Sequence, residues 1–118
     1  MRKFLFSVFV LLVTPSAFAY SGNDLLQGLV MQQQVSEGRI DGSAKQTADT
    51  FFVMGFISAS FSTLNDIHPK VCLPNQGGNI SQFAAVTRRY LNNNPNQLHR
   101  PAHVLVREAA IQAFPCTR

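Results

Sequence analysis

The first nineteen residues constrain the chain most, because they have the order of parts of a cleavable secretory signal. Arg2 and Lys3 provide a positive start, and residues 4–13 form an apolar run interrupted only by Ser7. Small residues then stand at positions −3 and −1 of a signal peptidase site ending at Ala19. The run is about half of the roughly 20 residues that a membrane-spanning helix needs, so no stable membrane anchor is expected. The prediction is a signal peptide over 1–19 and a mature domain over 20–118.

Export bears directly on the two cysteines, Cys72 and Cys116. A short bacterial-type signal indicates the periplasm, with the external medium as the alternative. Both are oxidising, and two thiols there most simply form one disulfide. A redox-active or metal-binding pair is the alternative, but neither thiol belongs to a C-x-x-C motif or has a His or carboxylate at ligand spacing. A bridge would close a loop of about 45 residues and stabilise the fold by about 4 kcal/mol.

The mature domain is short and weakly charged. Its 99 residues allow one domain with a modest core. Without residues 1–19 the chain has eight Lys and Arg against six Asp and Glu, a net charge of +2. Arg88-Arg89 is the only adjacent basic pair, and the clustered basic face of a nucleic-acid-binding protein is therefore not expected.

Hydrophobic periodicity predicts an all-α fold, a small single-domain bundle of about four helices with one disulfide. A loop rich in Pro, Gly and Asn separates the second and third helices over residues 65–78. The first helix is predicted from Ser21 to Gly38, with a capping box of Ser21 and Asp24, and the second from Ser43 to Leu64. The third is predicted from Asn79 or Ser81 to Asn92. The fourth has Pro101 in its first turn and ends at Pro115.

The second predicted helix is apolar on more than one side, which is typical of a central helix in a bundle. Gly55 lies in its middle, where glycine costs about 1 kcal/mol relative to alanine. A close crossing with another helix is the predicted reason for this glycine.

A search for catalytic or metal-binding groups favours a protein that is not an enzyme. His99 and His103 have the i, i+4 spacing of two metal ligands, but Pro101 starts a helix between them, so they are not expected on one face. The acidic residues are scattered without an acid–base pair, and no serine lies in a G-x-S-x-G motif. No cofactor is predicted. The polar segments 65–79 and 92–100 are either connecting loops or a recognition surface, and the residue pattern leaves both open.

The C-terminal half resembles the Rap/Tai family of immunity proteins, the periplasmic antidotes to type VI secretion amidase toxins. Four motifs in order carry the resemblance across residues 51–116: Phe52-Val53-Met54-Gly55-Phe56-Ile57, Val71-Cys72-Leu73-Pro74, Tyr90 to Pro95 followed by Leu98 to Ala102, and Ala113-Phe114-Pro115-Cys116. Family members often carry a further cysteine pair, which is absent here, where the corresponding stretches are Leu29-Val30-Met31 and Val53-Met54. The motifs are mostly structural, so they support the fold better than the identity of a toxin.

The resemblance implies a small helical protein, commonly a homodimer, that inhibits a secreted peptidoglycan amidase by filling its active-site cleft with a loop. A chaperone-like or general protein-binding role in the periplasm is the alternative. The loop predicted to fill the cleft consists of Asn75, Gln76, Gly77, Gly78 and Asn79. A second predicted contact consists of Asn93, Asn94, Asn96, Gln97, His99 and Arg100.

Overall fold

The computed structural model describes residues 20–74 and 78–117. They form four α-helices and a short 3-10 helix, and the extended pairings among them are two isolated β-bridges, Ser21 with Pro101 and Val71 with Pro115. The predicted four-helix, all-α architecture is confirmed. The helices are α1 (Gly22–Ser36), α2 (Ala44–Ile67), α3 (Ile80–Asn93), the 3-10 helix (Pro95–Gln97) and α4 (Ala102–Ala113).

Side-chain caps determine where the first three helices begin. Ser21 and Asp24 form the predicted capping box at α1, and Ser43 forms a second box with Gln46 at α2. Asn79 is the cap of α3, since its side chain accepts a hydrogen bond from the Gln82 amide at 3.0 Å. Each cap satisfies backbone amides that the first turn leaves without a partner.

Two helix limits differ from those predicted. α2 continues to Ile67 rather than ending near Leu64. Asn65 supports the extra turn, because its side chain accepts the Leu73 amide at 2.9 Å and so binds the following loop to the helix. Pro101 is the residue before the first turn of α4 rather than a member of it.

The core lies where the C-terminal half of α2 meets α3 and α4. The rings of Phe61 and Phe83 stack with centroids 4.4 Å apart, and Phe114 contacts both edge-on at 6.1 and 5.9 Å. α1 packs on the N-terminal half of α2, where Tyr20 contacts Phe52 at 5.2 Å. Aliphatic side chains from all four helices complete the core, including Leu25, Leu29, Val53, Ile57, Leu91, Leu105 and Val106.

The predicted disulfide between Cys72 and Cys116 is confirmed, with 5.0 Å between the two Cα atoms. It joins the segment after α2 to the segment after α4. The Cys72 amide also donates to the Phe114 carbonyl at 2.9 Å. The bridge therefore closes the end of the bundle at which α4 finishes.

α2 packs against all three other helices, as predicted for a central helix, but the expected crossing at Gly55 is wrong. A Cβ atom built on Gly55 would meet no atom within 4 Å, and Phe51 beside it is 73% exposed. The other helices cover only the stripe of α2 that carries Val53, Ile57 and Phe61. Three neighbours on one side of an apolar helix leave its opposite side uncovered.

No helix among the described residues is both long and apolar enough to cross a membrane. The predicted signal peptide over 1–19 lies outside those residues.

Candidate partner-binding surface

Residues 93–100 connect α3 to α4, and hydrogen bonds and a proline within this segment determine its turns. Pro95 ends α3, because the residue before a proline is disfavoured in helical conformation. Asn94 closes the helix by donating from its side chain to the Tyr90 carbonyl at 2.8 Å. The 3-10 helix follows, and the Arg100 amide donates to the Gln97 carbonyl at 3.0 Å. The segment is thus a compact connection with its own hydrogen bonds.

Glu108 on α4 accepts hydrogen bonds from residues of this connection and of α3. Arg100 donates to the carboxylate of Glu108 through both terminal nitrogens, at 2.8 and 3.0 Å. Tyr90 on α3 donates its hydroxyl to the same carboxylate at 2.6 Å. Arg100 also bonds the side chain of Gln97 at 3.0 Å. Two-point recognition of a carboxylate by a guanidinium is among the stronger side-chain interactions, and here it attaches the connection to both flanking helices.

The pKa values follow from these contacts. Hydrogen bonds from Arg100 and then Tyr90 lower the pKa of Glu108 below its usual range. Partial burial, with the hydrogen bond to Glu108 and its negative charge, raises the pKa of Tyr90 to about 12. Glu108 is therefore ionised and Tyr90 neutral near neutral pH, which is the combination that the hydrogen bonds require.

The start of α1 holds the connection from the other side. The Gly22 amide donates to the Arg100 carbonyl and the Asn23 amide to the Leu98 carbonyl, both at 2.9 Å. The backbones approach so closely that a Cβ on Gly22 would lie 2.8 Å from the Leu98 carbonyl oxygen and would overlap the Leu105 side chain. Glycine is needed at position 22 for this contact, and the result is a connection bonded on both sides.

The structure separates the predicted contact residues of this segment into two groups. Asn93, Asn96 and His99 are exposed. Asn94, Gln97 and Arg100 are partly buried and make the internal hydrogen bonds described above. The first group is available to a partner, whereas the second group shapes the surface.

The described part of the other predicted contact segment, Gly78 and Asn79, lies at the opposite end of α3. Asn79 caps the first turn of that helix, and Gly78 packs on the ring of Phe83. Asn75, Gln76 and Gly77 lie outside the described residues. α3 has 14 residues, a length of about 20 Å at the usual helical rise. The two predicted segments are therefore not one continuous patch.

A shallow groove between α3 and α4 extends the surface beyond the predicted residues. It has a volume of about 230 Å³, and Arg89, Asn93 and Gln112 are among the residues that line it. Arg89 and Gln112 come from different helices and lie 23 positions apart. The pattern of the sequence contains no signal that would have joined them.

The functional groups at this surface are amides, an imidazole and a guanidinium. Side-chain amides and a neutral imidazole both donate and accept hydrogen bonds, whereas a guanidinium only donates. In the described parts of the chain, no group of three or more His, Cys, Asp or Glu side chains could hold a metal ion. His99 and His103 are both exposed.

The family model described as Rap1a immunity proteins matches residues 21–116, which include all four helices and both cysteines. No curated protein matches the chain, and no solved structure does.

Proposed function

The chain belongs to the Rap1a family of immunity proteins, and from this premise we propose that it binds and inhibits a type VI secreted peptidoglycan amidase in the periplasm. The inhibitor occludes the cleft in which the amidase would hold the peptide stem of the cell wall. Occlusion needs a surface of the right shape and no catalytic group.

The connection over residues 93–100 is the observation that supports this mechanism. A loop that is already ordered loses less conformational entropy on binding than a flexible one. Here Arg100 is bound to Glu108, and the start of α1 is bound to the backbone of the loop. Asn96 and His99 project from this ordered base, and we assign them the main contact with the amidase. Gly78 and Asn79 remain a second contact candidate at the far end of α3.

Location in the periplasm is the second part of the proposal. Its support is the signal-like order of residues 1–19 together with a disulfide of the kind that persists in oxidising compartments. An amidase injected into the periplasm attacks the wall there, so an inhibitor has to be exported to meet it. The protein would act as a homodimer, as the resemblance to the Rap/Tai proteins implies.

Protection of living cells tests both parts together. The amidase encoded nearest the gene would be directed to the periplasm of a sensitive bacterium, with the full chain or with residues 20–118 alone. The full chain should prevent lysis, and the form without residues 1–19 should not. A periplasmic muramidase is the matched control, since it attacks a different bond of the wall and should still lyse the cells. Lysis by the amidase despite the full chain would overturn the proposal, and protection against both enzymes would indicate general protein binding instead.

A further inference from the structure

One face of α2 is left uncovered by the rest of the described chain. Phe51 is 73% exposed and Phe52 is 56% exposed. Spacings of three and four residues place the exposed residues on one side of the helix. Going along the helix they are Phe51, Phe52, Gly55, Ser58, Ala59 and Ser62, and we call this set the α2 face. It contains no charged residue, and exposed apolar patches commonly mark interaction sites.

The α2 face has large side chains before Gly55 and small side chains after it. Phe51 and Phe52 precede the glycine, whereas serine and alanine residues follow it. Gly55 itself is an open notch, because no atom lies within 4 Å of the position its Cβ would take. Glycine within a helix is unfavourable relative to alanine, and no contact among the described residues requires one here.

We propose that a second copy of this chain covers the α2 face, with the two α2 helices antiparallel about a two-fold axis that passes Gly55. In a symmetric dimer the same surface must be complementary to itself. Antiparallel pairing about Gly55 places the phenylalanines of each copy on the small residues of the other. Glycine at the axis lets the helix axes approach to about 9 Å, within the usual range of about 8–10 Å.

The charges at the two ends of α2 favour the same arrangement. Lys45, which pairs with Asp49 of its own helix at 2.6 Å, lies near the start of the helix, and Asp66 lies near its end. Antiparallel pairing about Gly55 brings Lys45 of one copy to nearly the level of Asp66 of the other, at both ends of the interface. Parallel pairing would set lysine against lysine and phenylalanine against phenylalanine. Opposite charges across an interface fix its register and exclude the alternative.

This inference takes the homodimer of the proposed function as its starting point and names the surface that forms it. The α2 face belongs to a different helix from the contact residues at 93–100. An inhibitor with both surfaces could dimerise through one and bind its amidase through the other. Association and inhibition can therefore be measured separately.

Sedimentation equilibrium of the exported protein, purified after expression of the full chain, tests the surface. Phe51→Ser should raise the dimer dissociation constant at least about 10-fold, as expected for loss of a central aromatic contact. Gly55→Trp should do the same, although it adds its side chain to open space in the monomer. Ile67→Ser is the matched control, because Ile67 is 74% exposed but lies off the α2 face. It should leave association unchanged.

Cross-linking tests the orientation. Both native cysteines are joined in one disulfide, so an added cysteine is a single free thiol. Gly55→Cys should form a disulfide-linked dimer under mild oxidation, because a disulfide needs Cα atoms about 4.4–6.8 Å apart. Ser62→Cys should not, since antiparallel pairing separates the two copies of that residue by about 20 Å along the helix.

Three results would overturn the inference: a protein that is monomeric at every concentration, dimers that survive both Phe51→Ser and Gly55→Trp, or cross-linking at position 62 without cross-linking at 55. An amidase assay on the same samples separates this from the proposed function. If the protein inhibits the amidase but does not dimerise through the α2 face, the immunity proposal is retained and only the dimer proposal fails.

Discussion

At Glu108, one carboxylate connects residues that are far apart in the chain, and its protonation should be visible in the stability of the fold. Its pKa is lower in the folded protein than the ordinary value of 4.5, because Arg100 and Tyr90 donate to the ionised form. A carboxylate of this kind stabilises the fold above its unfolded pKa, and that stabilisation is lost as the pH falls through the folded pKa. The change should therefore appear below about pH 4.5.

Glu108→Gln should lower the free energy of unfolding by about 1 kcal/mol near neutral pH, a value reduced for partial exposure of the pair. The difference from the unmodified protein should shrink as the pH falls below 4.5 and through the lowered pKa of Glu108. Urea unfolding across this pH range is the measurement. Tyr90→Phe is the control, since it removes one hydrogen bond but retains the Arg100 pair and should retain most of the acid dependence. Equal stability of the Gln variant at all pH values would show that the carboxylate does not hold the connection.

Gly22 and Gly55 should respond in opposite directions to the same substitution. Gly22→Ala forces a Cβ against the Leu98 carbonyl oxygen and the Leu105 side chain and should destabilise the fold by about 1–3 kcal/mol. Gly55→Ala adds a methyl group to open space and should stabilise a dilute, monomeric sample by up to about 1 kcal/mol. Thermal unfolding of both variants gives the comparison. A neutral Gly22→Ala would contradict the close approach of α1 to the connection.

At the residue scale, the sequence predicted what depends on near neighbours. The Ser21–Asp24 capping box could be predicted because its two members are three positions apart. The role of Arg100 could not, because Glu108 and Tyr90 reach it only after α3 and α4 have packed. Arg100 was predicted to touch the partner, whereas its side chain is used to hold the connection in place.

At the scale of elements, the disulfide is the covalent link between the end of α4 and the loop after α2. It spans 44 residues of sequence. Replacing Cys72 and Cys116 together by serine should destabilise the protein by about 4 kcal/mol on the chain-entropy model. Denaturation of the oxidised protein, the reduced protein and the double variant provides the test. The reduced protein and the double variant should agree, and full stability of either would contradict a structural role for the bridge.

The four helices can be predicted from the sequence, because apolar periodicity, capping residues and prolines determine helix limits through residues that are close in the chain. α2 shows the limit of that reasoning. Its apolar character on several sides correctly predicted contacts with all other helices, but it could not show which side would remain uncovered. Gly55 was assigned to a crossing within the chain, and the described residues place none there. A small domain has too few helices to surround its longest one.

At the scale of the whole molecule, α3 separates Gly78 and Asn79 from the second predicted contact segment. This follows from the length of α3, which has 14 residues. Gly78 and Asn79 precede α3 and the connection at 93–100 follows it. In the proposed complex, the amidase cleft would engage the hydrogen-bonded connection at the end of this helix.

Titration of purified amidase with the exported protein, followed by release of peptide from peptidoglycan, tests the central claim most directly. The unmodified protein should abolish hydrolysis at a stoichiometric ratio. The double variant Asn96→Ala with His99→Ala should bind at least about 10-fold more weakly at unchanged stability, in the range of contact residues that matter. Ser81→Ala with Gln82→Ala, an exposed polar pair at the other end of α3, should inhibit like the unmodified protein. Full amidase activity in the presence of excess unmodified protein would contradict the account.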